Sequence, residues 1–164
     1  MTSALFLLCT VASVACAVAL VTRKNPIYSA FFMMGLFVSI SVLYALLAAP
    51  FLATMQLLVY AGAILVLFLF VIMLFNLSPE EMGKEPGGKV KALAGGICAL
   101  LFALMVAAIS RVKTSSFPEA PADIGSAKWV GAAIFRDFVL PFEVVSILIL
   151  VAVLGAVVLA KKKL

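Results

Sequence analysis

The chain has no histidine, and its 164 residues include only three cysteines and one tryptophan. The lack of imidazole removes the commonest proton-transfer group at neutral pH and the usual zinc and haem ligand. Cys9, Cys16 and Cys98 stand singly inside apolar stretches. None has the spacing of a metal site or a dithiol motif, and such cysteines behave as small hydrophobes. Gly87-Gly88 and Gly95-Gly96 lack the lysine and helix-opening pattern of a phosphate loop. The chain is therefore expected to bind no metal, nucleotide or redox group itself.

Charge is the second scarcity. Charged residues make up 12% of the chain, about half the share of an ordinary soluble domain. Residues 25–79 carry none at all. As one helix that run would be roughly 80 Å long, against a bilayer core of about 30 Å, so it must cross twice. Ala49-Pro50 is the natural corner, because proline disfavours helix at the residue before it.

What is present is apolar sequence, 66% of the residues. The same length criterion gives an all-α integral membrane protein, residues 1–164 forming a single membrane domain. Its five spans are expected at about 3–22, 27–49, 51–76, 92–110 and 140–160. The third, roughly 39 Å as straight helix, should be tilted, irregular or both. The apolar amino terminus has no basic residue before it, so it reads as a retained first span and not as a signal peptide.

Five spans put the termini on opposite sides. Arg23, Lys24, Lys84, Lys89, Lys91 and Lys161 to Lys163 fall on one face, and Arg111, Lys113, Lys128 and Arg136 on the other. The positive-inside rule then places the amino terminus outside and the carboxyl terminus in the cytoplasm. The net charge of +5 follows from that asymmetry and is no sign of nucleic-acid binding. The outer loop, 111–137, contains Pro118 and Pro121, then "AKWVGAAIFRDF", which has the mixture of an interfacial segment. The inner loop "SPEEMGKEPGGK" is turn-rich, with Glu80 and Glu81 read as a solvated face.

Chemistry then rests on the few small or polar residues within spans. Small residues recur at every fourth position in Cys9-Ser13-Ala17, Ser41-Ala45-Ala49, Gly95-Ala99-Ala103-Ala107 and Ala152-Ala156-Ala160. Such ridges allow close helix approach, either within this chain or against other subunits. Glu143, two residues after Pro141, is the only formally charged group inside a span. It reads either as a first-turn carboxylate favoured by the helix dipole or as a buried group taking part in proton movement. Gln56 precedes Tyr60 by one helical turn, and both can hold water without ionising. Gly62, between Ala61 and Ala63, either permits close packing or marks a kink or π-bulge.

"NPIYSA", "FLATMQLLVYAGAILVLFLFVIMLFNL" and "FVLPFEVVSILILVAVLGAVVLA" together resemble the family of small membrane subunits called subunit J in bacterial respiratory complex I and chain six in its mitochondrial counterpart. The likeness covers nearly the whole chain and is most specific in the middle block. It implies a membrane-arm subunit of a proton-pumping NADH–quinone oxidoreductase in the bacterial inner membrane. Its partners would be other membrane-arm subunits and the bilayer. FMN, iron–sulfur clusters and most of the quinone site would reside in those other subunits. It also implies a π-bulge in the third span, carried over here to Tyr60, Ala61, Gly62, Ala63 and on to Val66. Its change to regular helix would gate a hydrated proton path. Gln56, Tyr60 and Glu143 are the polar candidates for that path. Some members of the family carry a glutamate where this chain has Gln56, so a relay role for that acid does not transfer. The competing expectations are a subunit of a related cation–proton antiporter or membrane-bound hydrogenase, and a stand-alone transporter. The odd span number and the thin set of ionisable groups weigh against the last.

Overall fold

A computed structural model describes residues 2–75, 88–111 and 123–161, and all the regular structure among them is helical. The inner-loop segment 76–87, with Glu80, Glu81 and Lys84, lies outside the described residues, as do Lys113, Pro118, Pro121, Lys162 and Lys163. The helices are α1 (Thr2–Thr22), α2 (Pro26–Leu46), α3 (Pro50–Phe75), α4 (Gly88–Arg111), α5 (Ala127–Arg136) and α6 (Val139–Ala160). All but the short α5 are long and apolar enough to cross a membrane, α4 through Ala92–Arg111.

The turn between α1 and α2 is built by side chains that answer unpaired helix ends. Asn25 is the N-cap of α2, its Oδ1 accepting from the Ile27 N–H at 2.9 Å, and Pro26 occupies the first helical position. Ser29 Oγ donates to the Leu20 carbonyl at 3.0 Å, one of the last of α1. Arg23 lays its guanidinium 5.4 Å from the centre of the Phe32 ring. Along the hairpin, small residues bring the helices together: Cys9 and Ala30 are buried. A Cβ on Gly35 would lie only 3.1 Å from Cys16 Sγ. The ridge that contains Cys9 is thus spent within the chain.

The α2–α3 corner is sharper than proline alone suggests, and α2 ends at Leu46 instead of running to residue 49. Ala48 takes a left-handed φ of 56°. Its N–H reaches the Ala45 carbonyl at 3.3 Å, and the Ala49 N–H reaches the Tyr44 carbonyl at 3.0 Å. This is the Schellman pattern, normally built on glycine, here built on alanine. Pro50 then opens α3, which returns along α2. Ser41 Oγ, buried, donates to the Ala53 carbonyl at 2.8 Å and ties the two helices. Most other hydroxyls within helices bond back to their own helix, as Thr10 does to Phe6 and Ser39 to Gly35.

The core lies in α1–α3, and Leu65 is its one fully enclosed large side chain. Helices α4 and α6 bury no residue among those described. The short α5, N-capped by Ser126 Oγ on the Trp129 N–H at 3.2 Å, packs against α6 through Phe135 and Phe142, whose rings are 5.0 Å apart.

Candidate functional site in the third spanning helix

Helix α3 changes register in the middle. Pro50–Met55 and Leu65–Phe75 are ordinary α-helix, and Gln56–Ile64 between them is π-helix. The Leu65 N–H closes the segment on the Tyr60 carbonyl, five residues back. The irregularity therefore begins at Gln56 instead of Tyr60 and ends before Val66, which belongs to the following α-helix. The tyrosine–glycine stretch is the second half of a longer irregular segment.

The sequence around the segment explains its tolerance for the wide register. Gly62 removes a side chain where it would crowd the backbone: a Cβ there would lie 3.2 Å from the Leu57 carbonyl oxygen, the acceptor in five-residue pairing. Ala61 and Ala63 keep the flanks narrow. Leaving the segment also costs an acceptor. Once pairing passes from five residues back, at Leu65, to the usual four, one carbonyl is skipped, and arithmetic assigns it to Ala61. Such a carbonyl in hydrocarbon needs a donor from water or a neighbour.

The candidate residues are not all in one place. Gln56 is buried, 7% exposed, at the entry to the segment. Tyr60 is 47% exposed and sets its ring edge-on to Phe37 of α2, with centroids 5.7 Å apart. Four positions come close to one turn in either register, so Gln56 and Tyr60 stay on neighbouring parts of the helix surface and differ in burial. Val66 lines an apolar groove of about 300 Å³ with Ile27, Leu69, Phe70 and Met73. Glu143 lies on a different helix, in the second turn of α6 and beyond the capping positions. Its side chain is exposed, and its backbone carbonyl accepts from Ser146 Oγ at 2.7 Å.

Two contributors had little signal in the sequence. Ser41 stood there only as a member of a small-residue ridge, yet its hydroxyl sits one turn before the π segment. Phe37, which meets Tyr60, is one of thirteen phenylalanines and nothing marks it out. Among the described residues no three His, Cys, Asp or Glu groups gather as a metal site. The three cysteines are free and scattered, unsuited to the four thiolates of an iron–sulfur cluster.

Fold and site thus define a polytopic membrane subunit whose distinctive feature is a register change in one helix. Residues 16–159 match the family model for NADH-ubiquinone/plastoquinone oxidoreductase chain 6. The chain is 40% identical over 150 residues to NAD(P)H-quinone oxidoreductase chain 6 of Leptolyngbya boryana, covering 90% of this chain and 73% of that one. It is 37% identical over 160 residues to the protein of the same name from a Synechocystis strain, covering 97% and 80%. It is also 36% identical over 162 residues to F(420)H(2) dehydrogenase subunit J of Methanosarcina mazei, covering 97% and 90%. The chain belongs to the NADH-ubiquinone/plastoquinone oxidoreductase chain 6 family. It is a membrane subunit of an oxidoreductase, with no redox centre evident among its described residues.

Proposed function

We propose that this chain is a gating subunit in the membrane arm of a proton-pumping NADH–quinone oxidoreductase of a bacterial inner membrane, its amino terminus outside and its carboxyl terminus in the cytoplasm. The observation that carries the reading is the π segment Gln56–Ile64, set in the middle of an apolar helix beside a buried amide and a phenol. Converting that segment to α-helix restores the winding that its wider turns give up, one residue's worth. Everything beyond it then turns by about 100° and shifts by about 1.5 Å relative to everything before it. Leu65 and Ile72, buried in the π register, leave the face they occupy. The Ala61 carbonyl regains a backbone partner and no longer holds water. The path is therefore wet in one register and dry in the other, and a redox event elsewhere acts by biasing the two.

Gln56 and Tyr60 hold water in this scheme through their amide and hydroxyl. Electrons, flavin, iron–sulfur clusters and quinone belong to neighbouring subunits, and no step in this chain passes through them. Two relatives named for different electron donors, NAD(P)H and F(420)H(2), support a role in the membrane machinery and not in donor binding. Their names as oxidoreductase subunits favour this reading over an antiporter. The unburied α4 and α6 and the unused ridge Gly95-Ala99-Ala103-Ala107 are surfaces for helices of the partner subunits.

The test is Gly62→Ala, measured in sealed membranes for both NADH-driven quinone reduction and proton uptake. The added methyl crowds the Leu57 carbonyl in the π register, a bias on the order of 1 kcal/mol or roughly fivefold in the populations. Protons moved per NADH should fall while the amount of assembled complex is unchanged. An unaltered ratio in a fully assembled complex would refute the gate. Glu143→Gln settles the second candidate: unchanged pumping at normal assembly removes it from the proton path.

A further inference from the structure

The first turn of α3 is capped by a residue some seventy-five positions later in the chain. Ala49, its N-cap residue, has no side chain that could accept a hydrogen bond, and Pro50 has no N–H to offer. The Phe51 N–H, which an N-cap side chain would ordinarily satisfy, instead donates to the Gly125 carbonyl at 3.2 Å. Gly125 belongs to a tight turn closed by the Ser126 N–H on the Asp123 carbonyl at 2.9 Å, and Ser126 is itself the N-cap of α5. The turn sits so close to the corner that a Cβ on Gly125 would overlap the Ala48 carbonyl oxygen and press on the Ala49 Cα. Those obstacles are backbone, with no flexible side chain to move aside.

We propose that Gly125 is a positioning residue, whose carbonyl caps α3 and whose bare Cα lets the Asp123–Ser126 turn strap the α2–α3 corner. The strap and the Ser41 hydroxyl on the Ala53 carbonyl fix Pro50–Met55 at two points before the π segment begins. Among the described residues the same segment has no such hydrogen-bonded tie after it, only the packing of Leu65 and Ile72. A change of register is therefore absorbed by Leu65–Phe75, and the strapped end is the stationary one. This deepens the register reading above and rests on it.

Two measurements on the assembled complex test the strap. In the wild type, the Phe51 amide should exchange with deuterium slowly, as a hydrogen-bonded group does, and Gly125→Ala should speed it by roughly tenfold. Free exchange in the wild type would overturn the cap. Gly125→Ala should lower protons moved per NADH while leaving quinone reduction per assembled complex unchanged, an uncoupling that a purely structural defect does not give. Adding Ala48→Gly, which relaxes the corner, should restore part of the ratio. If Gly125→Ala prevents assembly, Ser126→Ala loosens the strap from the α5 side without steric overlap, and it should lower the ratio to a smaller degree. A normal ratio in the assembled variants, with Gly62→Ala still impaired, would overturn the positioning role alone. Normal ratios in both would remove the register reading beneath it.

Discussion

Helices α1–α3 and helices α4 and α6 are equally apolar, but they use that apolarity differently. The first three bury Cys9, Ala30, Ser41, Ala53, Gln56, Leu65 and Ile72 against one another, while α4 and α6 bury nothing among the described residues. Hydropathy does not separate the two groups, since lipid tails are as apolar as leucine and provide no drive for helices to associate. What separates them is whether small residues and hydroxyls meet a complementary surface in the same chain. In α1, Cys9 is buried and Cys16 meets α2 at Gly35, and Ser41 finds Ala53. The α4 ridge, just as regular, is covered by nothing among the described residues. One part of the molecule is a packed unit that holds an irregular helix, and the other leaves its helix faces uncovered among the described residues.

The contrast can be broken from either side. The largest effect is expected on α4. Ala99→Leu together with Ala103→Leu should leave the chain inserted in the membrane and reduce its recovery in the assembled complex several-fold, as read by native gels. Full recovery would mean that this face meets lipid. Gly35→Val comes next. Its branched side chain meets Cys16 Sγ and should cost about 1–3 kcal/mol of thermal stability, part of which Cys16→Ala restores. Ser41→Ala should cost about 0.6 kcal/mol, the average for a hydrogen bond between membrane helices, and should weaken the hold on α3 just before its π segment. The last change has the opposite sign. Ala48→Gly relieves a left-handed φ of 56° and should raise thermal stability by about 0.5 kcal/mol, since part of the relief is offset by the freer unfolded chain. A loss of stability there would contradict the corner geometry.

Some of this architecture was legible in the sequence and some was not, for identifiable reasons. Span number and approximate limits follow from hydropathy because lipid forces each crossing to be a long apolar helix. Pro50 located the corner because proline acts on its immediate neighbour. The end of α2 was missed since the left-handed residue is Ala48, where the pattern usually shows glycine. In the third span the excess length and Gly62 indicated irregularity, but its register starts at Gln56, six residues before the glycine that eases it. The register of a wide turn is a property of a run of carbonyls, to which single residues contribute weakly. The Gly125 contact was invisible because it joins two loops far apart in the chain, and neither loop has a motif that names the other.

The central claim is that α3 changes register during turnover, with its Leu65–Phe75 end turning against α2. The most direct measurement is alkylation of Ile72→Cys in a complex whose Cys9, Cys16 and Cys98 have been replaced, comparing resting membranes with membranes oxidising NADH. In the π register Ile72 is buried, so labelling should be slow at rest. It should accelerate during turnover as the helix end rotates by about 100°. Equal labelling in both conditions, with turnover intact, would show that the wide segment is static and that the helix does not gate.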